Sequence, residues 1–228
     1  FNWMISNQNT DGSWYNLYDD HKPIELNKQT NYSSYLAVAS WHFFLLDKDI
    51  NFLQNYWESI KKGIIFSLSL QNDNGAIAWN VDDKGEVDDD YLLTGCSSIT
   101  KSLECGIAIC QTLGHKSLEK EWRIAHAKLI KAIENPTGIF DLKRDRSKFS
   151  MDSYYPILGG INAKKAASSL MSNIKTTFWI EGLGIKCVAD EPWVTVAETS
   201  ECSIAFKKMG EDEIALELLH NAIAIVDN

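Results

Sequence analysis

Carboxylates and phenols in the last third of this chain stand at spacings that suit proton transfer to a polar substrate. The run Asp190-Glu191-Pro192-Trp193-Val194-Thr195-Val196-Ala197-Glu198 is followed by Glu201, so two acids stand three residues apart. That interval puts Glu198 and Glu201 on one face of a helix, with Cys202 beside them. Acids on an inward face are costly to bury unless they are used. A structural reading also holds, because Thr195 and Glu198 fit the capping box S/T-x-x-E. Asp190 joins Glu198 and Glu201 as a candidate catalytic acid, and Trp193 is a candidate contact for substrate.

Asp152-Ser153-Tyr154-Tyr155-Pro156 opens another helical segment. Asp152 is either its cap or a fourth candidate catalytic acid, and Tyr154 and Tyr155 are candidate substrate contacts that shape a pocket and offer hydroxyl donors. Asp88-Asp89-Asp90-Tyr91 is an acidic loop. It either favours the N-terminus of the helix that follows or holds Mg²⁺ for a diphosphate, with Asp89, Asp90 and Tyr91 as binding residues. In Lys143-Arg144-Asp145-Arg146-Ser147-Lys148, Arg144 and Arg146 suit a phosphate or carboxylate, although most charge runs are solvated loops. Histidines 21, 42, 115, 126 and 220 have no metal-like spacing, and no G-x-S-x-G nucleophile motif occurs. No metal ligand set is read from the chain.

Composition narrows the partners. Hydrophobic residues at 45% and charged residues at 23% fit one folded domain of 228 residues, and the eight Trp, eight Tyr and nine Phe supply core or pocket walls. A formal charge of −9 argues against nucleic acid and against anionic membranes. No apolar run reaches the roughly 18–20 residues of a membrane span. Five cysteines without a C-x-x-C pair point to buried thiols in a reducing, cytoplasmic setting. The start, Phe1-Asn2-Trp3-Met4, has neither an initiator Met nor the pattern of a signal peptide, so the chain reads as a piece of a longer product or a mature form.

The elements that must hold these residues come from a repeat. Gln8-Asn9-Thr10-Asp11-Gly12-Ser13-Trp14 is echoed by Gln71-Asn72-Asp73-Asn74-Gly75 with Trp79, and weakly by Glu134-Asn135-Pro136-Thr137-Gly138-Ile139-Phe140. The glycines are spaced by 63 residues twice. Apolar helical segments precede each copy (3–5, 60–70, 122–133), and others follow each polar loop (31–46, 93–113, 152 onward). Helices over 162–180, 195–209 and 212–226 complete about four and a half hairpins, with glycine turns between them. No sustained alternation calls for a sheet. Stacked hairpins place their long loops on one rim, where function belongs.

Gln-x-x-x-Gly followed by Trp, approached by Lys62-Gly63-Ile64-Ile65-Phe66, resembles the QW repeat of squalene cyclases and their protein prenyltransferase relatives. The resemblance implies an all-α, α/α-toroid fold over 1–228, and with four and a half hairpins an incomplete ring that missing segments or a second copy would close. It implies an isoprenoid substrate in a central aromatic cavity, where ring faces stabilise carbocations. The family's acid box is matched only by Glu86-Val87-Asp88-Asp89-Asp90, and its zinc-binding Asp-x-Cys pair is missing. Two alternatives stand beside the isoprenoid enzyme. One is a glycoside hydrolase-like toroid whose rim carboxylates cleave sugars; the other is a scaffold without chemistry.

Overall fold

The computed structural model describes residues 1–161 and 164–226. They form two compact units, Phe1–Leu142 and Lys143–Asn228.

The first unit begins with the short helix α1 (Asn2–Ser6) and the hairpin of β1 (Leu17–Asp19) and β2 (Lys22–Glu25). Two helical hairpins follow: α2 (Thr30–Asp47) with α3 (Ile50–Leu68), and α4 (Leu93–Leu113) with α5 (Lys116–Glu134). Strands β3 (Lys28–Gln29) and β4 (Asn80–Val81) pair where α2 begins. In α3, Leu53, Trp57, Ile60, Ile64 and Ser67 recur at helical spacing and are buried, so one stripe faces the core. Asp49 caps that helix by accepting from the Asn51 N–H at 2.9 Å.

Helix α4 packs against α2, α3 and α5 and is buried along most of its length. Its serines fit this setting because each hydroxyl donates to a carbonyl of the preceding turn, Ser97 to Leu93 at 2.6 Å and Ser98 to Gly95 at 2.9 Å. Gly106 leaves room for its neighbours: an added Cβ would overlap Ile64 and lie 3.0 Å from Trp122.

The repeat is a device for joining hairpins. The Gln8 side-chain amide donates to Gly12 O at 3.0 Å and to Ser59 O of α3 at 2.9 Å. Gln71 does the same to Gly75 O at 2.9 Å and Ala125 O of α5 at 3.0 Å. The glutamine thus ties its own turn to a carbonyl of the neighbouring helix, rather than capping a helix end as its place at the end of an apolar run suggests. Trp14 is buried, packs on Gly63 of α3 and donates its indole N–H to Met4 O at 2.7 Å. The third copy does not close in this way: the carboxylate of Glu134 has no amide N–H to give, and a Cβ on Gly138 would meet nothing within 4 Å. We expect Gln71→Met to lower stability by about 1–3 kcal/mol through loss of the two hydrogen bonds of the bridge. A shift of the urea midpoint at constant slope is the readout; no shift would mean that the bridge is idle.

The second unit contains α6 (Met151–Leu158), α7 (Lys164–Asn173), a π-helical turn (Ile174–Phe178), the ribbon of β5 (Trp179–Ile180) and β6 (Gly184–Ile185), and the hairpin of α8 (Val196–Met209) and α9 (Asp212–Val226). Tyr154, Ile174, Phe178, Cys202, Phe206 and Leu218 make its core. Gly210, at φ 85°, ends α8.

Three expectations change. The helix over 162–180 ends early, at Asn173, because the chain widens into the π turn and then extends; residues 162 and 163 lie outside the described residues. Among the described residues, three two-stranded ribbons occur in loops that carry no alternating pattern long enough to announce them. Asp152 lies within the first turn of α6, not at its cap. Among the described residues, no helix is long and apolar enough to cross a membrane.

Candidate active site in the second unit

Helix α6 packs against α8, and that contact builds the site. Adjacent tyrosines on α6 converge on one acid of α8. Tyr154 Oη donates to Glu201 Oε2 at 2.8 Å and Tyr155 Oη donates to Glu201 Oε1 at 3.1 Å, the two rings lying 5.4 Å apart. Tyr154 is fully buried, and burial together with the Glu201 charge raises its pKa, so its phenol stays a donor. Burial is also the main influence on Glu201. It raises the carboxyl pKa, the two phenol bonds oppose it, and the nearby Glu198 charge adds to it.

Glu198 is buried one helical turn earlier. Half of the expected capping box forms: Thr195 Oγ1 accepts the Glu198 N–H at 3.2 Å. The reciprocal half does not, since the Thr195 N–H donates to Ile185 O at 3.3 Å. The Glu198 side chain instead neighbours Cys187, whose thiol is pushed up to about 11 by burial and then by Glu198. Cys187 gives no sequence signal, because it reaches Glu198 across a folded arm rather than along a helix.

That arm frames the site. Phe149 bridges Val188, and Lys186 bridges Val194. The Ser150 N–H donates to Cys187 O at 3.1 Å, Ala189 N–H to Lys148 O at 2.8 Å, and Cys187 N–H to Trp193 O at 2.9 Å. Asp190 and Trp193 are exposed on it, Trp193 at 59%. Arg146 holds Asp152 through two nitrogens, Nε and Nη2 both at 3.1 Å, and its guanidinium stacks 4.6 Å from the Phe149 ring. Burial nonetheless raises the Asp152 pKa, outweighing Arg146. Arg144 is half-buried in the segment leading to α6.

The structure therefore brings Tyr154, Tyr155, Glu198 and Glu201 together and pairs Asp152 with Arg146. The acidic loop belongs to the first unit, with Asp90 buried, Asp89 exposed and Tyr91 half-buried ahead of α4. Asp141, which carries no signal in the sequence, donates its N–H to the Tyr91 carbonyl at 2.9 Å, and its carboxylate accepts the Leu93 N–H of α4 at 3.4 Å. Among the described residues, no three His, Cys, Asp or Glu side chains are grouped to hold a metal ion. What the α6–α8 cluster offers is a carboxyl with raised proton affinity, fixed by two phenols beside a second carboxylate. That is the equipment of a general acid.

The helical hairpins and solved structures of the same architecture define the fold as an all-α, α/α toroid. A rhamnosidase from Klebsiella oxytoca with rhamnose bound matches with a TM-score of 0.66 over 95% of this chain and 42% of its own, at 13% identity. An α-amylase from Clostridium perfringens matches with a TM-score of 0.67 over 98% of this chain and 66% of its own, at 12% identity. In sequence, the chain is 35% identical over 211 residues to an MMP endo-(1,4)-3-O-methyl-α-D-mannosidase of Mycolicibacterium hassiacum. That alignment takes in 92% of this chain, which spans 57% of the relative's length. No family model matches.

These matches overturn the squalene cyclase and prenyltransferase resemblance, and with it the isoprenoid substrate and the terpenoid chemistry. Among the proteins this chain resembles are a mannosidase, a rhamnosidase, an α-amylase and a D-mannose isomerase. The physical reason lies in the repeat. Its glutamine and glycine join one hairpin to the next through backbone carbonyls, a task indifferent to what the fold binds.

Proposed function

We propose that this chain is part of a glycoside hydrolase that cleaves internal α-mannosidic linkages. The observation that carries this reading is the 35% identity to the endo-mannosidase, sustained over 92% of the chain. The α6–α8 cluster supports it with a suitable acid. In this mechanism, Glu201 gives its proton to the glycosidic oxygen as the bond from that oxygen to the anomeric carbon breaks. Water adds to the anomeric carbon and gives a proton to the Glu201 carboxylate, which restores the acid, so both products leave as free sugars. The Glu198 carboxylate faces the positive charge that develops at the anomeric carbon and stabilises it. Tyr154 and Tyr155 orient Glu201, and the Arg146–Asp152 pair fixes the start of the helix that carries both tyrosines.

The test is incubation of the full chain with an α-1,4-linked oligosaccharide of 3-O-methylmannose, with an α-rhamnoside and an α-glucan as controls, followed by mass spectrometry. Shorter methylmannose oligomers cut at internal bonds are expected. Cleavage of the α-glucan alone would replace the mannoside reading, and an intact methylmannose oligomer would remove it.

A further inference from the structure

Trp193 is a large apolar side chain that the packing leaves 59% exposed. It does not hang from a loose loop. Lys186 bridges Val194 in antiparallel fashion, with the Cys187 N–H on Trp193 O at 2.9 Å and the Thr195 N–H on Ile185 O at 3.3 Å. That pattern makes Cys187 and Trp193 direct cross-strand partners. Cross-strand partners project from the same face of a ribbon, with Cβ atoms about 4.5–5.5 Å apart. Val194 projects from the other face, where it lies against Gly184. The Cys187 thiol neighbours Glu198. Trp193 therefore shares the ribbon face that meets Glu198, one helical turn before Glu201. The arm beneath it is pinned on its far side by Ser150 and Lys148.

We propose that the Trp193 indole is the stacking platform of a sugar subsite next to Glu198 and Glu201, and that it selects pyranose rings presenting an apolar face. An indole offers a broad flat surface at little conformational cost. The C–H face of a pyranose matches it, and an O-methyl group enlarges the apolar area in contact. The proposal rests on the glycoside hydrolase reading and adds to it a residue that decides which ring is held. Trp193 acts in binding and not in proton transfer.

Binding is measured by isothermal titration in the Glu201→Gln background, so that hydrolysis does not intervene, with a 3-O-methylmannose oligomer and its unmethylated counterpart. Trp193→Ala is expected to weaken binding of the methylated oligomer by about 10- to 100-fold, through loss of stacking and of buried area. Trp193→Phe is expected to recover part of that affinity. In the hydrolysing protein, Trp193→Ala should raise KM far more than it lowers kcat. Equal affinity with and without the indole would overturn the platform and leave the hydrolase reading standing. A Trp193→Ala protein of lowered Tm and unchanged affinity would make the indole a packing residue and overturn it too. Absence of binding in both proteins would remove the subsite together with the hydrolase reading.

Discussion

Glu201→Gln is expected to abolish nearly all glycan hydrolysis, a fall in kcat of about 10²–10⁴-fold, the usual contribution of a positioned general acid. The substitution keeps shape and leaves an oxygen to accept a tyrosine bond, so the loss reports the missing proton. The pH profile gives the sign. Burial raises the Glu201 pKa above its ordinary value, so the acid form persists to higher pH than an exposed glutamate would allow. Activity should fall as pH rises through that raised pKa, and the residual activity of the Gln variant should lack this limb. Stability should move the other way. A carboxyl whose folded-state pKa is raised contributes stability that is full below its unfolded pKa and is lost as pH rises through the folded one. At neutral pH the Gln variant should therefore melt above the wild type, and the difference should close in acid. A shift of about 2–4 °C for each kcal/mol applies to a chain of this length. A variant that hydrolyses at the wild-type rate would clear Glu201 of any part in the chemistry.

The largest effect on stability is expected from Gly75→Ala. Gly75 sits at φ 96°, where an added Cβ meets the carbonyl of Lys128 inside van der Waals contact. The left-handed backbone costs an L-residue about 1–2 kcal/mol, and forcing the turn away from α5 adds about 1–3 kcal/mol. Together these are a large share of the stability of an ordinary domain. Gly138→Ala is the control, because it shares the positive φ, 73°, and meets open space. It should lose only the backbone contribution. Urea denaturation of the two variants separates the terms. Equal losses would show that the close approach to Lys128 relaxes without cost, and that the repeat turn is set by φ alone.

The comparison of these glycines shows what the sequence could and could not carry. Gln8 and Gln71 with their glycines were legible as a repeat because equal spacing is a property of the chain itself, and hairpins that stack in the same way need the same turn. The hairpin order, and the boundaries of α4, α8 and α9, were legible for a similar reason: helical periodicity and glycine stops act within a few residues. The same motif misdirected the function, since a joint between hairpins serves any toroid. The bound on Asn173, where α7 widens into a π turn, was not legible, because apolar residues continue through it and only packing in the second unit shows the change.

The site divides along the same line. Glu198 and Glu201 stand out in sequence because three residues of helix put them on one face, and Tyr154 and Tyr155 stand out because they are adjacent. Nothing along the chain says that the tyrosines meet Glu201, for their hydrogen bonds join residues 47 and 46 positions apart. Nor does it say that Cys187, not the helix cap, is the neighbour of the Glu198 side chain. The sequence by itself determined the all-α hairpin architecture and the placing of Glu198 and Glu201 on one helix face, through interactions that reach one helical turn. Only the tertiary structure decided which side chains meet Glu201 and in which direction its proton affinity moves, because burial and through-space hydrogen bonds arise when α6 closes on α8.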